Sequence, residues 1–273
     1  MKKMKKVLLA VLAGVMVLSM FTACNNSGSG SGTNSGSDST NGEKNKFVLG
    51  LDDSFPPMGF RDEDNNIVGF DIDLAQAVCD KMGVELVVQP IAWDSKEMEL
   101  NNGNIDCIWN GLSIDAERQE KMLLSKPYME NHMVVVVNAD SEIKERKDLI
   151  GKMVGVQKES TALKAANADE FVSQAQELVE YDTNVLALND LPTGRIDAIV
   201  LDEVVANYMI KEEEGKYVVL GDALTAEEYA IAFKKGNEEL KNKVEAALDE
   251  VIAEGKFKEI SEKWFGKDVS LAE

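Results

Sequence analysis

The sequence predicts an α/β protein, with mostly parallel strands flanked by helices and divided between two lobes. From Phe47 onward, short apolar runs of strand length alternate with helical patterns, and such alternation is typical of parallel sheets. The apolar run 133–138, followed by the polar segment 139–147, predicts a crossing between two lobes. A return crossing is expected near 224–229, and two lobes joined by two strands would leave a cleft between them.

The individual elements follow from apolar spacing and from glycine. A helix is predicted over 71–82, where Leu74, Val78 and Met82 follow helical spacing and Gly83 ends it. Helices are also predicted over 237–264, with a break at Gly255. Nine apolar runs are predicted to be strands: 47–52, 86–91, 106–110, 133–138, 153–157, 179–182, 197–202, 217–221 and 229–234.

Composition restricts the possible partners. The chain has 273 residues, a hydrophobic content of 44%, and 49 acidic against 29 basic residues, giving a net charge of −20. An acidic surface repels nucleic acid and anionic membrane, so neither is expected to bind through charge. One histidine and three cysteines provide little for a metal site or for histidine-based catalysis. We expect no cofactor and no metal.

The N-terminus resembles an export signal. Residues 1–6 are a positive region, residues 7–20 are apolar, and Phe21-Thr22-Ala23-Cys24 follows. The cysteine after a small residue resembles a bacterial lipoprotein cleavage box, although Phe21 stands where leucine is usual. We therefore predict a signal peptide over 1–23 and lipidation of Cys24. A plain secretory peptide with an incidental cysteine is the alternative. The apolar region is too short for a comfortable transmembrane helix.

The segment after Cys24 is composed almost entirely of Gly, Ser, Asn and Thr. Such a composition cannot bury a core, and it is typical of a flexible tether. We predict a tether over 24–46 and a folded protein that starts near Phe47. The tether would hold the folded part a few nanometres from the membrane, on the order of 5–6 Å times the square root of its length.

The stretch 106–118 is the strongest candidate for a binding site. A short strand, 106–110, is interrupted by Gly111, and Asp115 is a candidate N-cap for a following helix. Arg118 falls in the first turn, where a cation is disfavoured by the helix dipole unless an anion lies nearby. Free backbone N–H groups and a bidentate guanidinium would together bind a carboxylate. An ordinary surface ion pair is the alternative for Arg118.

Further candidates follow other predicted strands. Asp52 ends the first strand and Phe55 precedes two prolines; Trp93 follows the second strand. The segment 157–161 opens a helix, and Asp202 ends a strand. These positions would converge on a cleft at the strand C-termini. The residues alone do not decide between Asp52 and Asp53, and Phe55 and Trp93 are also compatible with core packing. Trp109 is expected to pack in the core.

An ordered set of motifs then resembles the polar amino acid family (family 3) of solute-binding lipoproteins of ABC importers. The set spans 47–266 and comprises Phe55-Pro56-Pro57, Val68-Gly69-Phe70-Asp71-Ile72-Asp73-Leu74-Ala75, Asn110-Gly111-Leu112-Ser113 with Glu117-Arg118, Lys126-Pro127-Tyr128, Gly194-Arg195-Ile196-Asp197-Ala198 and Lys263-Trp264-Phe265-Gly266. The resemblance implies a type II periplasmic-binding-protein fold with a two-stranded hinge. Lobe 1 would comprise 47–135 and 228–273, and lobe 2 would comprise 136–227.

The resemblance also implies roles for individual residues. Arg118 would grip the α-carboxylate of a free amino acid, and Asp202 would receive its α-ammonium group. Phe55 and Trp93 would enclose the side chain, with Asp52 at its polar end. The remaining contacts are assigned to Asn110, Gly111, Ser113, Gln157 and Thr161.

One residue departs from the family pattern. Glu159 stands where many relatives have glycine, so the loop that carries it is expected to be shaped differently or to be more acidic. Asp52, Glu159 and Asp202 together predict an acid-rich cleft. That charge favours a basic ligand such as arginine, lysine or histidine. Glutamine and cystine remain open, because Asp52 also accepts hydrogen bonds from amides and hydroxyls.

The predicted function is therefore a non-catalytic, monomeric receptor that is lipid-anchored outside the cytoplasm. It would deliver a polar amino acid to the transmembrane subunits of an ABC permease. The alternative from another class is an enzyme on the same fold, similar to cyclohexadienyl dehydratases, with Glu159 as the candidate general acid. A sensor domain is a third option, although such domains are ordinarily fused to a membrane signalling module.

Overall fold

The described strands form a curled mixed sheet and a small three-stranded sheet, and helices pack against the larger one. The computed structural model describes residues 45–271, so the predicted signal peptide, Cys24 and nearly all of the predicted tether lie outside the described residues. The strands are β1 (Lys46–Leu51), β2 (Ser54–Phe55), β3 (Gly59–Arg61), β4 (Ile67–Val68), β5 (Glu85–Pro90), β6 (Cys107–Ser113), β7 (Leu123–Leu124), β8 (Met129–Asn138), β9 (Met153–Gln157), β10 (Glu177–Tyr181), β11 (Ala198–Asp202), β12 (Tyr217–Val219) and β13 (Thr225–Phe233).

Within the described residues, eight α-helices connect these strands or cover the sheet. They are α1 (Phe70–Met82), α2 (Lys96–Asn102), α3 (Ala116–Lys121), α4 (Thr161–Ala168), α5 (Asn184–Asp190), α6 (Glu203–Glu212), α7 (Glu238–Ala253) and α8 (Lys256–Phe265). Helix α1 ends as predicted, because Gly83 adopts the left-handed conformation (φ 70°) that a residue with a side chain disfavours. The break between α7 and α8 falls at Gly255, also as predicted.

The main sheet has the strand order β10-β9-β11-β8-β13-β6-β1-β5. Pairing is parallel at both ends, between β1 and its neighbours β5 and β6 and between β9 and its neighbours β10 and β11. We call β5, β1 and β6 the first end, and β11, β9 and β10 the second end. The two ends are linked by β8 and β13, which pair antiparallel with each other from Thr225 opposite Met133 to Tyr229 opposite Met129.

Each end of the sheet has its own apolar packing, and a larger core runs beneath both. Trp93, Leu100 and Ile108 belong to a cluster at the first end, whereas Val154 and Val200 belong to a cluster at the second. Within residues 45–271, no helix combines the length and the apolar character needed to cross a bilayer.

The structure differs from the predicted elements in three places. Gly111 does not end its strand, because β6 continues through it to Ser113. Strand β1 begins at Lys46, one residue before the predicted start of the folded part near Phe47. The three-stranded sheet β2-β3-β4 was not predicted, because strands of two or three residues are too short to show a period.

Candidate functional site

A small cavity of about 20 Å³ lies where strands from both ends of the sheet terminate. All ten predicted ligand-binding residues line it, together with one that was not predicted, Ser160. The lining residues are Asp52, Phe55, Trp93, Asn110, Gly111, Ser113, Arg118, Gln157, Ser160, Thr161 and Asp202. Five of them end a strand or directly follow one, as expected for a site at the C-terminal edge of an α/β sheet: Asp52, Phe55, Ser113, Gln157 and Asp202.

Arg118 lies at the start of the short helix α3 and is buried, with 4% of its surface exposed. Its Nη1 donates a hydrogen bond to the Ser113 carbonyl oxygen (2.7 Å), and its Nε lies 3.6 Å from Asp115 Oδ2. Asp115 is the N-cap of α3, as predicted, and accepts a bond from the Arg118 N–H (2.8 Å). Burial lowers the pKa of Arg118, and Asp115 opposes that shift. A guanidinium keeps further donors for a carboxylate in this arrangement.

Two hydroxyl groups from opposite ends of the sheet meet beside Arg118. Thr161 Oγ1 lies 3.2 Å from Ser113 Oγ, and it donates to Glu227 Oε2 (2.9 Å). Ser160 is the N-cap of α4; its Oγ accepts a bond from the Leu163 N–H (3.1 Å) and donates to the Gln157 carbonyl oxygen (2.5 Å). Ser160 therefore fixes the turn that presents Gln157 and Thr161 to the cavity.

Asp202 ends β11 and is buried in the same cavity. Its Oδ1 accepts hydrogen bonds from Asn131 Nδ2 (2.7 Å) and from the Tyr229 hydroxyl (2.6 Å). Burial raises the pKa of Asp202 to about 7, and the hydrogen bond from Tyr229 opposes the shift. Asn131 and Tyr229 are both neutral, and both donate to Oδ1. The other carboxylate oxygen, Oδ2, can therefore accept a hydrogen bond from a cationic ligand. Asn131 and Tyr229 lie on the linking strands β8 and β13.

Asp52 and Gln157 face each other across the cavity. Gln157 Nε2 donates to Asp52 Oδ2 (2.8 Å) and to the Asp182 carbonyl oxygen (3.0 Å). The Asp52 N–H donates to Asn110 Oδ1 (3.0 Å), which orients the Asn110 side chain. Burial raises the pKa of Asp52 to about 6, while the bond from Gln157 opposes that shift. The cavity thus contains two carboxyl groups and one guanidinium.

Gly111 allows the cavity wall to pack closely. Its φ is +54°, and a Cβ atom there would lie 2.9 Å from Phe55 Cε1, so a larger residue would displace the aromatic ring. The Gly111 N–H donates to Asp71 Oδ2 (2.7 Å), and the Tyr128 hydroxyl donates to Asp71 Oδ1 (2.9 Å). Burial raises the pKa of Asp71 to about 7. Asp71 thus holds the Gly111 backbone in place behind the cavity wall. Its position at a helix start did not indicate this role.

The structure overturns the expectation for Glu159. Its side chain is exposed and does not line the cavity, so it adds no acid to the site. Glu159 adopts a left-handed conformation (φ 54°), which explains why glycine suits this position and which directs its carbonyl oxygen to Lys96 Nζ (3.2 Å). Trp109, by contrast, is fully buried and packs in the core, as expected.

Comparisons with known proteins agree with this fold. Residues 47–267 match the bacterial extracellular solute-binding proteins, family 3, and the chain belongs to that family. The chain is 34% identical over 233 residues to the L-cystine-binding protein TcyJ of Escherichia coli (strain K12), covering 84% of this chain and 85% of that protein. It is 32% identical over 266 residues to the arginine-binding extracellular protein ArtP of Bacillus subtilis (strain 168), covering 96% of this chain and 98% of that protein.

A solved structure shares the architecture closely. An ABC uptake transporter substrate binding protein from Streptococcus pneumoniae with bound histidine aligns with a TM-score of 0.80 and 40% identity, covering 83% of this chain and 95% of that one. The match extends over the main sheet and both of its ends, so the type II periplasmic-binding-protein fold is the fold of this chain.

Proposed function

We propose that the protein captures a free polar L-amino acid, with a basic side chain preferred, and delivers it to an ABC permease. The observation that carries this proposal is the presence of buried Arg118 and buried Asp202 in one small cavity. A zwitterion needs a cation at its carboxylate and an anion at its ammonium group, because neither charge tolerates burial alone.

The two charged ends take separate roles in the proposal. Arg118 binds the α-carboxylate, assisted by the Ser113 and Thr161 hydroxyls. Asp202 binds the α-ammonium through Oδ2, while Asn131 and Tyr229 hold its other oxygen. Hydrogen bonds to charged groups are stronger than neutral ones, so these two contacts would contribute most of the affinity.

The ligand side chain is proposed to lie between Phe55 and Trp93 and to reach Asp52. A guanidinium, ammonium or imidazolium group would then meet the Asp52 carboxylate and the Gln157 amide. One relative is named as arginine-binding, and one similar solved structure contains bound histidine, which supports a basic ligand. Another relative is named as cystine-binding, and glutamine is also compatible with Asp52 and Gln157. Cystine and glutamine are therefore both included in the binding test.

Two lobes, 47–135 with 228–273 and 136–227, are proposed to close on the ligand. The linking strands β8 and β13 lie near both boundaries, and Gln157 and Thr161 reach residues of the first end. A ligand held from both ends would favour the closed arrangement by its higher affinity for it. A ligand bound with micromolar affinity supplies about −8 kcal/mol for contacts and closure together.

The remaining proposals concern location and class. We infer a monomeric lipoprotein anchored through Cys24 outside the cytoplasm, where it meets the permease. A non-catalytic role is inferred because Glu159, the residue on which the dehydratase alternative depended, is exposed outside the cavity.

Calorimetric titration with the twenty amino acids, cystine and ornithine tests the proposal. The full chain is first unfolded and refolded to remove any ligand retained through purification. Saturable binding of one or a few basic amino acids is expected. The proposal is wrong if none of the panel binds, and turnover of prephenate or arogenate would then establish the enzyme alternative.

A further inference from the structure

Lys96 is a buried lysine beside the cavity that the proposed function does not use. It is the first residue of α2, and 3% of its surface is exposed. Its Nζ donates to two main-chain carbonyl oxygens, those of Trp93 (3.1 Å) and Glu159 (3.2 Å). Burial lowers the pKa of Lys96 to about 8, and the nearby charge of Arg118 adds to this shift. Lysine is seldom buried without a carboxylate partner, because the loss of hydration is costly.

The two carbonyl oxygens belong to segments that line the cavity from opposite ends of the sheet. Trp93 lines the cavity from the first end of the sheet, and Lys96 Nζ also lies 4.8 Å from the centre of its ring. Glu159 lies between Gln157 and Ser160, which line the cavity from the second end. A single ammonium group therefore connects the wall that carries Trp93 to the turn that carries Gln157, Ser160 and Thr161.

Other lysines connect the same two walls, but in a different manner. Lys158 Nζ lies 2.7 Å from Asp94, and Lys164 Nζ lies 3.0 Å from Asp115; both lysines are partly or largely exposed. Exposed ion pairs contribute little, because water and salt screen them and flexible side chains must be ordered. Lys96 is shielded from water and bonds to main-chain atoms, so its contact depends strictly on how the two walls are positioned.

We propose that Lys96 is a positioning residue for ligand capture, which holds the 157–161 turn against the Trp93 wall and prolongs the residence of the bound amino acid. This inference rests on the proposed function. When the walls separate, Lys96 loses the Glu159 carbonyl and regains water. The hydrogen bond from Lys96 to the Glu159 carbonyl oxygen therefore stabilises the closed arrangement and not the open one.

The predicted effect is kinetic. Lys96→Met keeps the length of the side chain and removes its charge and its donors. Dissociation of the amino acid bound most tightly in the panel should become about tenfold faster. Association should stay within about twofold, because affinity changes at one interface act mostly through dissociation. Stopped-flow tryptophan fluorescence of the full chain measures both rates.

Two controls separate this role from others. Lys158→Met removes an exposed contact between the same walls, and its dissociation rate should stay within about twofold of wild type. Glu159→Gly keeps the left-handed turn and its carbonyl oxygen, so it should also dissociate at close to the wild-type rate. A faster rate in Glu159→Gly equal to that of Lys96→Met would assign the effect to the carboxylate and overturn the proposal.

Thermal denaturation provides a readout that a merely structural lysine would not give. Removal of a buried cation should leave the unliganded melting temperature unchanged or higher, while the increase caused by ligand becomes smaller. Lys96→Gln repeats the comparison with a shorter polar side chain, in case Lys96→Met does not fold. Wild-type dissociation rates in the folded variants would refute the role of Lys96. Absence of binding in the wild-type protein would instead refute the proposed function.

Discussion

The two charged ends of the cavity hold their charges in different ways. Arg118 donates to the Ser113 carbonyl and lies 3.6 Å from the Asp115 carboxylate, so its charge is partly balanced within the protein. Asp202 receives its side-chain hydrogen bonds from two neutral groups, Asn131 and Tyr229, and burial raises its pKa to about 7. The cationic end therefore keeps its charge without a ligand, whereas burial without a cation in contact disfavours the charged form of the acidic end.

Arg118→Ala should produce the largest loss of affinity, at least about 100-fold. It removes the cation that faces the ligand carboxylate, and truncation of one member of a buried charge pair costs about 2–5 kcal/mol. Calorimetry measures the change. Arg195→Ala is the matched control, because Arg195 is exposed and pairs with Asp190 away from the cavity. A loss smaller than tenfold in Arg118→Ala would contradict the assignment of the carboxylate end.

Asp202→Asn should lower affinity by about 30-fold and should differ from Arg118→Ala in its effect on the unliganded protein. Asparagine keeps the size of the side chain and removes a buried charge that no cation contacts closely. The unliganded variant should therefore melt at the same or a higher temperature than wild type. Affinity and melting temperature both at wild-type values would show that Asp202 does not meet the ligand.

The affinity for the ligand should vary with pH according to the protonation of Asp202. As pH falls from 8 to 6, Asp202 becomes protonated and can no longer pair with an ammonium group, so affinity should fall about tenfold. Stability of the unliganded protein should change in the opposite direction. Since folding raises the pKa of Asp202 and of Asp71 to about 7, their contribution to stability is present at low pH and is lost as pH rises through 7.

Titrations and melting curves across this range measure both trends. Asp202→Asn is the control for affinity, because its binding should vary less with pH. An affinity that is unchanged between pH 8 and 6 in the wild-type protein would contradict the assigned role of Asp202.

Trp109→Phe should have the smallest effect on binding, within about twofold. Trp109 is fully buried in the core and does not line the cavity. The smaller ring should instead destabilise the fold by about 1–3 kcal/mol, or roughly 2–4 °C in melting temperature for each kcal/mol. A large loss of affinity without loss of stability would reassign Trp109 to the site.

The sequence predicted the cavity better than it predicted what supports the cavity. Residues at strand ends, such as Asp52 and Asp202, follow visible apolar runs. The predicted helix start indicated Arg118, and the family motifs then assigned its role. Asn131 and Tyr229 remained hidden, because each lies inside a strand and meets Asp202 only through the pairing of β8 with β13. Such long-range register is not encoded in any local pattern.

Backbone conformation explains the other errors. Gly111 and Glu159 both adopt positive φ angles, but one lies inside a continuing strand and the other in an exposed turn. Glycine in an apolar run is compatible with a break or with close packing, and the neighbouring Phe55 decides between them. Ser160 was missed because its capping role depends on where α4 begins, which sequence patterns define only within a few residues.

One titration compares the two ends most directly. The amino acid that binds the refolded chain most tightly is compared with its amine, which lacks the α-carboxylate, and with its deamino acid, which lacks the α-ammonium. Both analogues should bind at least about 30-fold more weakly, and Arg118→Ala should weaken binding of the amino acid but not of the amine. An amine that binds the wild-type protein as tightly as the amino acid would contradict the two-ended site.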